Sequence, residues 1–368
     1  MMTSGAHGQL LKNVHQSRCI RWLRYGVAAL WLSLSAPVCA QTLPSMPAGA
    51  YPLDIRIRSV PLNPEDPRQT GVGKLRYLGG LELLSPLPGF GGLSGLAVAA
   101  DESHFIAISD RSAFICGRIG LDRSDALTRV SDAWIAPMKP ANGVNMKVFK
   151  YTDSEAIAIA ADSTAAFVSF EREHRVWRYD IADTGDLCSI AQAIPVLQAM
   201  PDALNALPNN GGIESLTVLP SGTLLALAEN APRGGLGQPG WLVDVVAGHP
   251  EPARTFNYPA PVPYKPTDVE AVPGGLFILH RHFSVISGVS GQLAWLPLRD
   301  RVTAEQFKAA VLLAQFKPPL SVDNFEGLSA VADGKGGYYL YIVSDDNFAD
   351  YQRTLLMKFH VSPAALAG

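Results

Sequence analysis

The 368-residue chain is 48% hydrophobic and only 17% charged, with 33 Gly and 28 Pro. That composition favours short strands joined by many turns over long helices. The formal charge is −3, and it becomes −7 once the basic first 40 residues are set aside, an acidic balance that argues against nucleic acid or an anionic membrane as partner and suits cation binding.

The first 40 residues read as a secretory signal peptide. Arg18, Arg21 and Arg24 precede an apolar run from Tyr25 to Leu34, and Val38-Cys39-Ala40 forms a small-residue cleavage pattern after Pro37. The run is shorter than the roughly 20 apolar residues that a spanning helix needs. Ala36-Pro37-Val38 lacks the Leu and the small residue that a lipoprotein leader would place before Cys39. Cleavage after Ala40 gives an exported chain, periplasmic or secreted from a bacterium, with no membrane attachment. The mature part then carries 26 basic and 33 acidic residues, a net of −7. It keeps Cys116 and Cys188. An oxidising compartment allows them to pair, but sequence fixes no Cα separation; a disulfide and two free thiols both stay open.

Residues 41–74 read as an N-terminal arm with an alternating strand at Asp54–Val60. A second strand-like run covers Leu75–Leu84. A repeated unit follows: a polar residue, a short apolar run, a turn, a second apolar run and a polar cluster, which together make a β-hairpin. Its copies begin at Gly92-Leu93-Ser94-Gly95, Asp153-Ser154-Glu155-Ala156, Gly212-Ile213-Glu214-Ser215, Thr267-Asp268-Val269-Glu270 and Asn324-Phe325-Glu326-Gly327. Ser94, Glu155, Glu214, Glu270 and Glu326 stand 61, 59, 56 and 56 residues apart. A third strand-like run follows each hairpin, and a weaker fourth follows most. A near-constant period with four short strands per unit is the signature of a β-propeller. The expected all-β domain covers 75–361, with five or six blades and a tail at 362–368. The N-terminal strands most simply supply the outer strand of the last blade and close the ring by pairing with Thr354–Val361; they could also help build a sixth blade.

In an antiparallel hairpin the start of the first strand and the end of the second share one face. That places Glu155 near Glu171 and Arg172, Glu214 near Glu229 and Asn230, Glu270 near His280 and Arg281, Glu326 near Asp345, and Ser94 near Asp110 and Arg111. All of them would ring one mouth of the central channel. Crowded carboxylates repel unless cations intervene. A hard cation such as Ca²⁺ suits them, and Arg111, Arg172 and Arg281 could interleave and hold phosphate oxygens. The glutamates could equally lock neighbouring blades by accepting backbone N–H bonds. Asp345-Asp346-Asn347 is the densest acidic cluster and the leading metal candidate, or a polar turn. His280 and His282 share one side of a strand and are either acid–base or metal residues, or plain rim histidines. Gly92-Leu93-Ser94-Gly95-Leu96 departs from a nucleophile elbow at Leu96 and lies between strands. No P-loop, dinucleotide fingerprint or thiolate motif occurs, so no nucleotide or organic cofactor is expected.

The order Gly-Leu-Ser-Gly-Leu, Ser-Glu-Ala-Ile, Ile-Glu-Ser-Leu, Val-Glu-Ala-Val and Asp323-Asn324-Phe325-Glu326-Gly327-Leu328, closing on Ser344-Asp345-Asp346-Asn347-Phe348, resembles the phytase-like family called "esterase-like activity of phytase" over residues 75–361. The resemblance implies an exported propeller that hydrolyses phosphate esters, with Ca²⁺ as cofactor and a small molecule as substrate. In that reading Asp345, Asp346, Asn347, Glu214 and Glu270 hold the metal. Glu155, Glu326 and His280 are the acid–base residues, and Arg111, Arg172 and Arg281 bind the substrate. Two alternatives stand beside it: a non-catalytic propeller binding a small anion, sugar or protein, and a metal-dependent lactonase.

Overall fold

The computed structural model describes residues 46–367 apart from 142–145, 147–150, 233–234, 236, 246–252 and 299–301. The signal peptide expected over residues 1–40 lies outside the described residues. No described helix is long and apolar enough to cross a membrane.

The N-terminal segment gives β1 (Tyr51–Pro52), β2 (Arg56–Ser59), β3 (Gly71–Val72) and β4 (Leu75–Leu84). Five antiparallel blades follow in a ring, each written from its inner strand outward. The first is β5 (Leu93–Val98), β6 (His104–Ser109), β7 (Ala113–Leu121) and β8 (Leu127–Pro137), with β1 on its edge. The second is β9 (Ser154–Ile159), β10 (Ala165–Phe170), β11 (Arg175–Asp180) and β12 (Val196–Gln198). The third is β13 (Ile213–Val218), β14 (Thr223–Ala228), β15 (Gln238–Asp244) and β16 (Arg254–Tyr258). The fourth is β17 (Lys265–Val272), β18 (Gly275–Ser284), β19 (Gly288–Pro297) and β20 (Val311–Phe316). The fifth is β21 (Asn324–Ala332), β22 (Tyr338–Asp345) and β23 (Leu355–Val361), with β4 as its fourth strand, Val361 opposite Leu75 and Leu355 opposite Glu82. β2 and β3 both pair with β4. The segment from 56 to 84 is therefore used up in the fifth blade, and the molecule has five blades.

Inner strands such as Leu93–Val98 and Ile213–Val218 are buried at every position, because each blade is covered on both faces. Apolar side chains fill the gap between successive blades. Phe114, Trp134, Phe170 and Trp177 lie between the first and second, Phe167, Leu216 and Trp241 between the second and third. Phe277, Trp295, Phe316 and Phe325 lie between the fourth and fifth.

The fifth and first blades are joined by a charge as well as by apolar contact. Lys358 on β23 is fully buried, with Nζ 2.6 Å from Oε2 of Glu102 in the β5–β6 turn. Its ammonium lies 4.1 Å from the Tyr339 ring centroid, and the Tyr341 hydroxyl donates to the same Glu102 oxygen at 2.5 Å. Removing one partner of a buried pair strands the other charge, which costs about 3 kcal/mol. Glu102→Ala is expected to lose about that much unfolding free energy in a urea titration, and Lys358→Met less, since the Glu102 side chain it strands is 14% exposed and keeps the Tyr341 hydroxyl as a donor.

Candidate functional site

The inner strand of every blade carries a β-bulge near its start. Pairing slips by one residue between Leu93 and Gly95, across Ser154 to Ile157, between Ile213 and Ser215, between Pro266 and Asp268, and between Phe325 and Gly327. A bulge leaves one residue unpaired and re-aims its side chain. The unpaired positions hold Ser94, Glu155, Glu214, Thr267 and Glu326.

This corrects the fourth unit. The residue equivalent to Glu214 is Thr267, not Glu270. Thr267 follows Glu214 by 53 residues and precedes Glu326 by 59, so the even spacing through Glu270 was a coincidence of phase. Glu270 lies three residues further along β17 and lines a different cavity, of about 460 Å³, beside the turn Ala99–Asp101 and the end of β21 at Ala330–Ala332. There it accepts a hydrogen bond from the Ala330 backbone of the next blade, and burial raises its pKa to about 8. Blade locking, foreseen for all the glutamates, falls to Glu270 and to a set of hydroxyls and one aspartate. Ser94 Oγ donates to the Ser154 carbonyl, Thr267 Oγ1 to the Phe325 carbonyl at 3.1 Å, and Asp268 accepts from the Leu328 N–H at 2.6 Å. Ser94 is thereby occupied as a locking donor.

At the mouth of the channel the bulges and the ends of the second strands enclose a polar cavity of about 390 Å³. Eight carboxyl groups line it, from Asp110, Asp153, Glu155, Glu171, Glu214, Glu229, Glu326 and Asp345, against the cations Arg172, Lys265 and Arg281. Oxygens of Glu155, Glu214 and Glu326 all lie within 4.8 Å of one another, as do oxygens of Asp153, Glu155 and Glu171. Glu155, Glu214 and Glu326 are each only 7% exposed. Glu326 accepts from Asn324 Nδ2 at 2.7 Å and lies 3.3 Å from Arg281 Nη2. Among the described residues, nothing donates a hydrogen bond to Glu155 or Glu214.

The electrostatics follow from that crowding. Burial raises Glu155 well above the usual carboxylate range, and Glu214, Glu171 and Asp153 raise it further. Burial does the same to Glu214, with Glu229 and Glu326 adding to it. Asp345 is pushed to about 8 by burial and by Glu326, and Asp110 to about 7 by burial and Asp153. Glu171 reaches about 7 through burial, although the N–H groups of Gly211 and Gly212 hold its carboxylate at 2.7 and 3.2 Å and work against the rise.

The other expected site residues divide. Asp345 and Asn347 line the cavity, and the Asn347 N–H donates to Asp345 Oδ1 at 2.6 Å. Asp346 does not line it; its carboxylate accepts from Gly92 N at 2.9 Å, Phe348 N at 3.1 Å and Thr354 Oγ1 at 2.9 Å, fixing a loop rather than offering a free ligand. Arg281 and Arg172 line the cavity, each paired, Arg172 with Asp153. Arg111 sits outside it, 3.3 Å above the Phe348 ring and bonded to the Pro88 carbonyl. His280 is on the opposite side of β18 from Arg281, buried against Tyr258 with Nε2 2.6 Å from the hydroxyl, and burial lowers its pKa to about 4. His282 packs on the Tyr264 ring. Neither histidine lines the cavity. Cys116 and Cys188 form a disulfide with Cα atoms 6.0 Å apart. Asp153, Lys265 and Asn324 escaped the site reading. Asp153 and Asn324 open their units two residues ahead of the repeated glutamate, and Lys265 lies two residues before Thr267, outside the unit as it was phased.

The family model described as "Phytase-like: Esterase-like activity of phytase" matches residues 88–348, which includes all five inner strands and the whole cavity lining. Among solved structures, the chain is similar to U3-55K (8% identity over 78% of this chain and 99% of that one, TM-score 0.39). It is similar to the RRP9 WD40 repeats (8%, 79% and 100%, 0.40) and to Myxococcus xanthus glutaminyl cyclase (10%, 74% and 92%, 0.38). No curated protein matches the sequence. The chain belongs to the phytase-like family described by the esterase-like activity of phytase.

Proposed function

We propose that the protein is a divalent-cation-dependent ester hydrolase acting at the channel mouth, with phosphate monoesters as its substrates and Ca²⁺ as its ion. The observation that carries this is the trio Glu155, Glu214 and Glu326: buried, converging, and in two cases without a hydrogen-bond donor among the described residues. The donor set fits the ion. All its ligating atoms are oxygens, the preference of hard cations. Two oxygens on one Ca²⁺, at 2.3–2.6 Å each, stand up to about 5 Å apart, and oxygens of the trio lying within 4.8 Å of one another can meet on one such ion.

Bound there, Ca²⁺ would polarise an ester oxygen and make a nearby water more acidic. The chain's own groups do the rest. Glu155, Glu214 and Glu326 would hold the ion, whose charge would favour the ionised form of the carboxyls around it. Asp345 and Asp110 line the same cavity, and in their ionised form either could take the proton of an attacking water. Lys265 and Arg281 offer donors to the non-bridging oxygens of the phosphate.

Neutral esters or lactones are the second reading, favoured by the surplus of eight carboxyls over three cations in the lining, which repels an anion until cations compensate. Export is part of the proposal, and the Cys116–Cys188 disulfide supports an oxidising compartment. The test is an assay of p-nitrophenyl phosphate, p-nitrophenyl acetate and phytate with Ca²⁺ and with EGTA. Calcium-dependent release from the phosphates is expected. Release from acetate alone selects the neutral-ester reading, and inactivity on all three in calcium-replete protein sinks the enzyme and leaves a binding propeller.

A further inference from the structure

We infer that Arg281 is an internal cation that competes with the metal for Glu326 and so lowers the affinity of the carboxylate site. The inference rests on the reading of Glu155, Glu214 and Glu326 as a calcium site. Arg281 Nη2 lies 3.3 Å from Glu326 Oε1 and 3.5 Å from Glu229 Oε1. Glu326 is thus shared between the guanidinium and the trio whose oxygens fall within 4.8 Å of one another. The other two members point into the cavity 93% buried and take no donor from the described residues, so the demand for positive charge exceeds what Arg281 supplies.

The guanidinium has somewhere else to go. Glu229 gives it a second carboxylate, and its Nε is buried with no acceptor among the described residues. Lys265 offers the contrast. It reaches Glu229 at 3.4 Å and the Asn230 side-chain oxygen at 2.6 Å, and contacts none of the three trio carboxylates. A guanidinium keeps its proton in proteins, so Arg281 carries a full charge between Glu326 and Glu229. A calcium ion reaching Glu326 must therefore share an oxygen with a full positive charge a few ångströms away, a repulsion barely screened by solvent. An arginine that merely oriented Glu326 would act in the opposite sense, and its loss would weaken the ion.

Calcium titration calorimetry on the mature chain separates the two, with circular dichroism confirming each fold. Arg281→Met is expected to bind Ca²⁺ about 10-fold tighter than the wild type or more, on the scale of a unit charge removed from a poorly screened site. Arg281→Lys should stay within about 3-fold of wild type because it keeps the charge, and Lys265→Met should also change by less than about 3-fold because it leaves Glu326 alone. Arg281→Gln replaces Arg281→Met if the latter does not fold. Unchanged or weaker binding in the neutral Arg281 variant overturns the inference while the calcium site stands. So does a Lys265→Met effect as large as that of Arg281→Met. If neither wild type nor the neutral Arg281 variant binds calcium, the site and the inference fall together.

Discussion

Replacing Glu214 by Gln is expected to cut ester hydrolysis by about 100-fold or more and, at the same time, to raise the thermal stability of the protein in EGTA. Even groups that only support a metal ligand typically matter 10- to 100-fold, so loss of a ligand belongs at or beyond the top of that range, about 2.7 kcal/mol of transition-state stabilisation. The opposite sign on stability follows from the same residue. Glu214 is 7% exposed, its pKa is raised by burial and then by Glu229 and Glu326, and nothing described donates to it. An uncharged isostere removes that repulsion and the cost of burying the charge, so the variant should unfold at a higher temperature than the wild type. Steady-state kinetics and thermal unfolding on one preparation check both halves. A variant that loses stability in EGTA would mean that Glu214 serves the fold, as a locking residue does.

Converting Cys116 and Cys188 together to Ser is expected to cost about 4 kcal/mol of unfolding free energy, from the chain-entropy estimate for a loop of this length. The bond closes a sequence separation of 72 residues. It runs from β7 in the first blade to the short 3₁₀ turn Leu187–Gln192 that follows the inner part of the second, both ends lying in the apolar layer between those blades. Guanidinium unfolding of the double variant measures the loss. A change under about 1 kcal/mol would show that apolar packing alone holds that layer.

Much of the fold was legible because the hairpin is short, repeated and punctuated by turns. Blade number was not, since it depends on where one N-terminal strand docks. Asp54–Val60 and Leu75–Leu84 read as strands with Thr354–Val361 as their simplest partner, and β4 does pair with β23, but nothing local in them excludes a sixth blade. The site was legible where the bulge falls on a glutamate, at Glu155, Glu214 and Glu326. It failed at the fourth unit because the even spacing falls on Glu270, whereas the bulge there carries Thr267. His280 and Arg281 show the limit of a rim assignment: alternation sends one side chain into the core and the other into the cavity, and only packing decides which. Asp346 was read as part of an acidic cluster, yet its oxygens are taken up by Gly92, Phe348 and Thr354. Composition counts carboxylates but not their partners.

The pH dependence of stability follows from the raised carboxyls. Asp110, Glu171 and Asp345 have folded pKa values of about 7, 7 and 8, above the roughly 4 of an unfolded carboxyl. The folded state therefore binds more protons across that window. The stability these groups contribute is fully present below about pH 4 and is lost as pH rises through 7 to 8. A cation that binds the ionised carboxylates offsets the loss, by about 2.7 kcal/mol at a hundredfold excess over its Kd. The most direct measurement is thermal unfolding with and without Ca²⁺ at pH 5 and pH 8. Calcium is expected to raise the midpoint by several degrees at pH 8, by little at pH 5, and not at all in Glu214→Gln. No calcium effect at pH 8, or an equal effect in Glu214→Gln, would contradict a cation site at Glu155, Glu214 and Glu326.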